Sequence, residues 1–217
     1  MFVSDLFEAR PHRLGLMDKL AMFANDPEVY VTFTQILKVG INPISEWDDP
    51  VGIYAYPVQQ IMQGKTAAQQ GPNMGKLIPF AAERPFAYIV AATGNMLELQ
   101  RYSEADLDRD LEIIKNKFRA DLGDIDDELI SGWLHIWRAH AGLAFWRVSQ
   151  RLANHAERNT PSRSARMIWH KMIRACGYDG VVDRGEGIIH PGEPAQAVIL
   201  HTGALRVLEA VPNNLKI

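Results

Sequence analysis

The residues best suited to chemistry lie on a loop close to the C-terminal end of the chain. Short apolar runs at residues 181–182 and 197–200 flank this loop and are predicted to be strands. Four polar side chains lie on it: Glu186, His190, Glu193 and Gln196. Gly and Pro occur so often that neither a helix nor a strand can run through the loop. It therefore holds hydrogen-bonding groups at the end of a strand, a common position for a binding or catalytic site.

Other reactive residue types fit known sites less well. His135 and His140 are predicted to share one helix, but their separation of five turns them apart, whereas paired metal ligands on a helix lie four apart. Cys176 is the only cysteine, so no intrachain disulfide or thiolate cluster can form. Its position at the end of a helix favours a small buried residue over a nucleophile. We therefore predict no metal site and no cysteine catalysis.

Tyr54 and Tyr56 alternate with apolar residues, so both are expected on one face of a strand. An aromatic pair between Gly52 and Pro57 could stack against a planar ring. It could equally be part of the core with a hydroxyl at the edge, and the residues alone favour the core.

The elements that must position these residues fall into three zones. A short amphipathic helix is predicted at residues 14–23, followed by strands at 29–34, 51–56 and 86–90 and a mobile loop at 63–75. The second zone, 103–158, is predicted to be helical. The last zone contains a helix at 162–175, ended by Gly177, and then the pair of strands beside the polar loop.

The helical zone carries both capping and periodicity signals. Ser103 and Asp106 form a candidate N-cap pair. One apolar stripe follows at helical spacing: Leu107, Leu111, Ile114 and Phe118. After a break at 123–127, a second stripe comprises Ile130, Leu134, Trp137, Ala141, Phe145, Val148 and Leu152. Strands first, helices in the middle and strands last predict an α+β fold in which the helices are an insertion or a lid.

The bulk properties favour a single soluble domain over residues 1–217. Apolar residues make up 47% of the chain and charged residues 23%, as in ordinary globular proteins. No apolar run approaches the roughly 20 residues that cross a bilayer, and the N-terminus lacks the pattern of a secretory signal. A single cysteine fits a reducing compartment, so we expect a cytoplasmic protein without a membrane partner.

Charge is unevenly distributed. Residues 104–128 contain ten acidic and four basic residues, whereas 138–174 contain eight basic residues, three histidines and one acid. Such a basic segment can mark a surface for phosphate or nucleic acid. Two solvated helix faces that attract each other are the favoured interpretation.

Several segments together resemble the ADP-ribosyltransferase-like domains of bacteriophage and mobile-element proteins and of some bacterial toxins. They are YVTFTQILKVGINP at residues 30–43, PVGIYAYP at 50–57, PFAAERPF at 79–86, and GYDGVVD with GIIHPGEPAQAVIL near the C-terminus. The resemblance covers about half of the chain and excludes the helical middle.

This resemblance implies a split β-sandwich with NAD, used as a co-substrate, in a central cleft. The β-rich NAD-binding core would comprise residues 29–100 and 164–217, with 103–158 as a helical insertion. In the histidine–tyrosine–glutamate branch of the family, a histidine holds a ribose, a tyrosine stacks on nicotinamide, and a glutamate stabilises the positive charge of the transition state. In this chain Thr32 occupies the histidine position, Tyr54 or Tyr56 the tyrosine position, and Gln196 the glutamate position.

The resemblance therefore implies an NAD-dependent ADP-ribosyltransferase, encoded by a phage and acting on a macromolecular target in the host cytoplasm. Glu193 and Gln196 are the expected catalytic residues. The NAD-binding set is Thr32, Phe33, Thr34, Tyr54, Tyr56 and His190. Two alternatives stay open: a non-catalytic phage module that keeps the fold, and an NAD glycohydrolase. The acceptor, protein or nucleic acid, and the oligomeric state are also left open, because the tryptophan-bearing helices could form an interface as easily as a core.

Overall fold

The fold is an α+β arrangement, as predicted. A computed structural model describes residues 14–34, 52–62, 84–137, 139–184, 188–189 and 195–213. Their strands are β1 (Val29–Thr34), β2 (Ile53–Pro57), β3 (Phe86–Ala92), β4 (Met96–Glu98), β5 (Gly180–Asp183), β6 (Gln196–Ile199) and β7 (Leu205–Pro212). Their helices are α1 (Leu16–Met22), α2 (Val58–Met62), α3 (Glu104–Lys117), α4 (Arg119–Leu122), α5 (Asp127–Trp137), α6 (Ala141–Asn159) and α7 (Ala165–Ala175).

One sheet of seven strands organises the described residues, in the order β4-β5-β6-β2-β1-β3-β7. Neighbouring strands are antiparallel except for the parallel pair β4–β5. Strand β2 changes partner along its length. Residues 53–55 pair with β6, while Tyr56 and Pro57 pair with β1. The sheet therefore consists of two halves that meet at β2, with β4, β5 and β6 on one side and β1, β3 and β7 on the other.

Both halves of the sheet contribute to a shared core, which we call the inner cluster. Its buried residues are Tyr30, Ile53, Ala55, Tyr88, Val90, Val182, Ala197, Ile199 and Ala204. Successive residues of a strand point to opposite faces. Accordingly, Val181 and Val198 pack with helices α3, α6 and α7 in a second core, the helical cluster. Val31 and Ile89 pack with α1 and α2 in a third, the N-terminal cluster.

The helical segment does not lie apart from the sheet. Its core contains Leu97 of β4, Val181 of β5 and Val198 of β6 together with the buried faces of α6 and α7. At Gly142 of α6 the contact is tight, since an added Cβ would lie 2.0 Å from the carbonyl oxygen of Leu99, in the turn after β4. The segment predicted as an insertion or lid thus packs directly against the β4–β5–β6 half of the sheet.

Most predicted strands and helices are confirmed, with small shifts at their ends. β1 has the predicted bounds, β3 extends to Ala92, and the first helix spans Leu16–Met22. The predicted loop at 63–75 lies outside the described residues. The sequence analysis missed β4 and β7. β4 has only three residues, and β7 is rich in Leu, Arg, Glu and Ala, which favour helices over strands.

The caps of the helices follow the sequence signals. Ser103 accepts a hydrogen bond from the amide of Asp106, whose carboxylate in turn accepts from the amide of Ser103. Helix α7 begins after Ser164 rather than at residue 162, and Gly177 follows it with φ +92°. A left-handed residue after a helix favours glycine, as predicted for Gly177.

The prediction that His135 and His140 share a helix is wrong. Helix α5 ends at Trp137 and α6 begins at Ala141, with His140 as its N-cap. The Nδ1 atom of His140 accepts a hydrogen bond from the amide of Leu143 at 3.2 Å. The second apolar stripe is therefore divided between two helices. The side chain of His140 caps the start of the second of them.

Candidate functional site

The three strand positions implied by the resemblance lie on adjacent strands. Thr32 is on β1, Tyr54 on β2 and Gln196 at the start of β6, and these strands are neighbours in the sheet. The hydroxyl of Thr32 donates to the carbonyl oxygen of Tyr54 at 2.8 Å. This bond lies where β2 changes from one half of the sheet to the other. The fold thus gathers segments that are far apart in the sequence at the junction of the two halves.

The faces of these residues are not all the same. Tyr54 is half-buried against the helical cluster, and its register partner Val198 belongs to that cluster. Gln196 lies two residues before Val198, so it shares that face. Thr32 lies two residues after Tyr30, so it points with Tyr30 towards the inner cluster. The structure therefore brings Tyr54 and Gln196 to one face and places Thr32 on the other. Thr32 meets the backbone of Tyr54, not its ring.

Phe33 and Tyr56 pack in the N-terminal cluster, with their ring centroids 6.2 Å apart. Tyr56 is only 8% exposed, which agrees with the core interpretation that the residues alone favoured. Thr34 ends β1 opposite Phe86. His190 and Glu193 lie outside the described residues.

A buried carboxylate, Asp183, lies at the end of β5 directly beside Gln196. The two residues are register partners, and they are 1% and 2% exposed. One oxygen of Asp183 accepts from Nε2 of Gln100 at 2.7 Å. The other accepts from the amides of Ile188 at 2.5 Å and Ile189 at 3.2 Å. Asp183 therefore anchors the polar loop to the strand from which it leaves.

The next residue, Arg184, extends this hydrogen-bonded group. Its guanidinium donates to Oε1 of Glu98 at 2.6 and 3.1 Å and to the carbonyl oxygen of Pro27 at 2.9 Å. Its amide donates to Oε1 of Gln100 at 3.0 Å. Pro27 leads into β1, which lies three strands from β5 in the sheet order. Since neighbouring strands are about 4.8 Å apart, one side chain can span that interval only if the sheet curls strongly.

Sequence reasoning missed the role of Asp183, although the residue lies within the GYDGVVD segment. An aspartate after an apolar strand and close to glycines is a signal for a side chain that binds the backbone of the following loop. The contributions of Glu98 and Gln100 had no comparable signal. Both come from β4 and the turn after it, elements that the sequence analysis did not predict.

Cys176 lies just after α7 in a partly buried position. Burial, with a smaller contribution from the charge of Asp110, raises the pKa of its thiol to about 12. The thiol donates to the carbonyl oxygen of Asp110 at 3.6 Å. A thiol of such a pKa stays protonated at neutral pH, and the thiolate is the reactive form.

An open cleft of about 480 Å³ lies between α6 and α7. Two arginines, two amides and an apolar floor line it: Arg147, Arg166, Gln150, Asn154, Ala153, Trp169 and Ile189, with Glu157, Ser164 and Ala165 at one end. Glu157 accepts a hydrogen bond from the amide of Ala165 at 3.0 Å, so its carboxylate caps α7. Ile189 belongs to the polar loop that Asp183 anchors. The cleft is thus where the basic segment of the sequence meets the predicted site loop.

The acidic and basic segments also meet directly, as the favoured interpretation of the charge pattern expected. Arg163 forms an ion pair with Asp121 at 3.2 Å. The Arg163 side chain is half exposed, and a pair of that kind contributes little to stability.

None of the helices among the described residues combines the length and hydropathy needed to cross a bilayer. The chain matches no protein-family model, no curated protein and no solved structure.

Proposed function

We propose that this protein is an NAD-dependent ADP-ribosyltransferase of the kind carried by bacteriophages, acting on a macromolecule in the bacterial cytoplasm. One observation carries the proposal. The segments around Thr32, Tyr54 and Gln196, which suggested the family, occupy three adjacent strands at the junction of the two sheet halves. In this proposal the fold is the family's split β-sandwich, with NAD bound at that junction.

The proposed chemistry is the transfer of ADP-ribose from nicotinamide to an acceptor. The bond between C1′ of the ribose and the nicotinamide nitrogen breaks, nicotinamide leaves with the bonding electrons, and the acceptor nucleophile bonds to C1′ and loses its proton. Positive charge develops on the ribose, so nearby oxygens that accept hydrogen bonds from ribose hydroxyls favour the transition state. Gln196 and Glu193 take this role. Tyr54 stacks on the nicotinamide.

The remaining residues of the proposed NAD site hold the nucleotide. His190 is proposed to bind the nucleotide beside Tyr54, while Thr32 and Thr34 would act from the other face of β1, and Phe33 and Tyr56 would support the site through the N-terminal cluster. Asp183 is proposed to support the site indirectly, because it ties Ile188 and Ile189, which precede His190 in the sequence, to β5. The cleft beside Ile189 offers Arg147 and Arg166 to phosphates of NAD or of a nucleic-acid acceptor.

A non-catalytic module with the same fold is the second candidate, and specific observations favour it. Gln196 is neutral and 2% exposed, so it cannot offset developing charge as a carboxylate would. The hydroxyl of Thr32 already donates to the backbone of Tyr54. A protein that keeps these strands but satisfies the polar groups with hydrogen bonds inside the fold would be folded and would not turn over NAD.

The test is incubation of the protein with labelled NAD and host-cell extract, following both transferred label and free nicotinamide. We expect label on a macromolecule, and a loss of at least about tenfold in Gln196→Ala or Glu193→Ala, in line with the removal of one transition-state contact. Gln59→Ala on α2 is the matched control and should label normally. Normal labelling in both site variants would overturn the assignment of these residues.

Two further outcomes separate the alternatives. Free nicotinamide and ADP-ribose without a labelled acceptor would identify an NAD glycohydrolase. A folded protein that neither binds NAD at millimolar concentration by calorimetry nor releases nicotinamide would identify the non-catalytic module.

A further inference from the structure

The cleft between α6 and α7 receives positive charge from both helices. Arg147 of α6 and Arg166 of α7 line it, and Glu157 is the one acid among its described lining residues. Glu157 accepts a hydrogen bond from the amide of Ala165, so its charge lies at the first turn of α7, where the helix dipole stabilises it. A guanidinium has five N–H donors, so each arginine can keep a partner within the chain and still bind an anion. The cleft therefore favours a ligand with negative charge.

Two side-chain amides lie on the same side of α6 as Arg147. Gln150 and Asn154 follow it at separations of three and seven, so the three side chains form one row along the cleft. A carboxamide both donates and accepts hydrogen bonds, as the edges of nucleic-acid bases do. The row thus offers a phosphate contact and base contacts side by side, which fits a nucleotide better than an inorganic anion.

The floor of the cleft is apolar and fixed in place. Ala153, Trp169 and Ile189 form it. The indole of Trp169 packs edge-on against Trp146, with the ring centroids 5.2 Å apart, and its Nε1 donates to Oγ of Ser149 at 3.0 Å. The volume of about 480 Å³ is typical of a small-molecule site. An unpaired nucleotide can enter such a space, whereas a duplex, whose bases face inwards, would stay outside it.

The positive charge is local and continues beyond the cleft. The chain as a whole has a net charge of −3, so its overall charge would repel a polyanion. Arg158 is exposed and lies one turn beyond Asn154 on α6. A cationic groove that follows the backbone is typical of proteins that bind single strands.

We propose that the α6–α7 cleft binds a single strand of nucleic acid. The guanidinium groups of Arg147 and Arg166 bind phosphates. An unpaired base rests on the apolar floor with its edge towards Gln150 and Asn154. The strand leaves the cleft past Arg158.

This inference deepens the proposed function, because it makes nucleic acid the class of acceptor, and in that part it rests on the proposed function. Ile189 connects the two sites. It lines the cleft, while its amide donates to Asp183, the register partner of Gln196. A strand in the cleft would therefore pass close to the residues proposed to act on the ribose. Binding of the strand itself requires neither NAD nor turnover.

The experiment is fluorescence anisotropy of the full chain with labelled single-stranded DNA and RNA of mixed sequence, about ten nucleotides long, without NAD. In about 50 mM salt we expect a dissociation constant between about 1 and 100 µM, the range of sequence-independent binding. A duplex of the same sequence should bind at least about fivefold more weakly, because its bases cannot enter the cleft.

Variants of the cleft test which contacts carry the binding. Arg147→Ala and Arg166→Ala should each weaken binding about tenfold and make the dependence of log K on log salt shallower by about 0.7, since one fewer counterion is released. Arg147→Lys keeps the charge and should keep the salt dependence. Gln150→Ala should weaken binding about threefold with the salt dependence unchanged, because a carboxamide carries no charge. Arg206→Ala, an exposed position on β7 in the other half of the sheet, is the matched control and should bind as wild type.

The phosphates of NAD have the same chemistry, so a competition separates the two sources. NAD at about 1 mM, the upper end of usual substrate affinities, should leave the strand bound. Displacement of the strand would assign the two arginines to NAD and overturn the proposal.

The acceptor class is tested by digesting the products of labelling in cell extract. We expect nuclease, and not protease, to release the label. Release by protease alone would keep the transferase and exclude nucleic acid as its acceptor. A strand that binds the cleft without any labelling would remove the transferase and keep the cleft as a nucleic-acid site.

Three results would overturn the binding itself. They are an anisotropy that does not change up to about 100 µM protein, an affinity that both arginine variants of the cleft leave unchanged, and a loss in Arg206→Ala equal to that in Arg147→Ala. The last would show attraction by dispersed surface charge and not by the cleft.

Discussion

The end of β5 and helix α5 both depart from the usual distribution of residues, in opposite directions. At the end of β5 the carboxylate of Asp183 is 1% exposed, and on α5 the side chain of Ile136 is 62% exposed. Asp183 accepts hydrogen bonds from Gln100, Ile188 and Ile189. The exposed side chains of α5 have no comparable arrangement in the described part of the chain.

A buried carboxylate and an exposed apolar side chain need different explanations. A buried polar group costs free energy unless it is hydrogen-bonded, and the bonds of Asp183 satisfy that requirement within the chain. Its role is therefore to fix the loop. Leu129 and Ile136 of α5 have no such compensation among the described residues, and single exposed apolar side chains of this kind are common on protein surfaces.

The most severe test of the first region is Asp183→Ala. The buried amides of Ile188 and Ile189 and the part-buried side-chain amide of Gln100 would lose their acceptor, and we expect the free energy of unfolding to fall by about 3–5 kcal/mol. Guanidinium denaturation measures it. Asp183→Asn keeps one carbonyl oxygen and should lose about half as much. A loss below about 1 kcal/mol in Asp183→Ala would show that the loop is not anchored there.

Replacing glycine by alanine should change the stability of the protein in opposite directions at Gly142 and Gly132. Gly142→Ala should destabilise the protein by about 2–3 kcal/mol, because the new Cβ would displace the backbone of Leu99. Gly132→Ala should stabilise the protein by about 0.5–1 kcal/mol, because an added Cβ there meets no atom and alanine favours the helix interior. Equal changes in stability at the two positions would show that Gly132 does not face open space.

The thiol of Cys176, which is partly buried, allows a third comparison. Because burial raises its pKa to about 12, alkylation by iodoacetamide at pH 8 should be at least about 100-fold slower than in the unfolded protein. Mass spectrometry at successive times measures the rate. A rate within about fivefold of the unfolded chain would mean that this helix end opens readily.

The smallest expected effect concerns His201, at a partly exposed cluster with Arg174 and Asp179. Burial, and then the charge of Arg174, lower the pKa of His201 below its usual value. The unfolded state then binds the proton more readily, so this contribution to stability is present above about pH 6.5 and is lost as the pH falls through the lowered pKa. The side chain is 36% exposed, so we expect well under about 1 kcal/mol between pH 7.5 and pH 5.

Denaturation of wild type and His201→Gln at both pH values isolates this contribution. The substitution should reduce the pH dependence slightly. An increase in wild-type stability at pH 5 that the variant lacks would mean that the pair with Asp179 dominates.

Local signals in the sequence predicted the local parts of the fold. The bounds of β1, the Ser103 cap and the role of Gly177 follow from a few neighbouring residues. β4 and β7 could not be predicted in this way, because their strand conformation comes from pairing with β5 and β3, not from their composition.

The candidate site divides along the same line. The segments of Thr32, Tyr54 and Gln196 lie on adjacent strands, and both the family resemblance and their roles in NAD binding stay predictions. The anchoring of the loop by Asp183 needs Gln100, which lies in an element that only tertiary contacts create. The break in the second apolar stripe could not be predicted either, because the spacing of apolar residues does not show that His140 caps a new helix.

The parallel pairing of β4 with β5 has a consequence for the order of folding. These strands are consecutive in the sheet, yet α3 to α7 all lie between them in the chain. Closing such a long connection costs more chain entropy than the local contacts of the helices. The helical segment should therefore acquire structure first and shorten the effective distance between β4 and β5. Pulsed hydrogen exchange would then find the amides of α6 and α7 protected before those of β6, and the reverse order would show that the sheet nucleates folding.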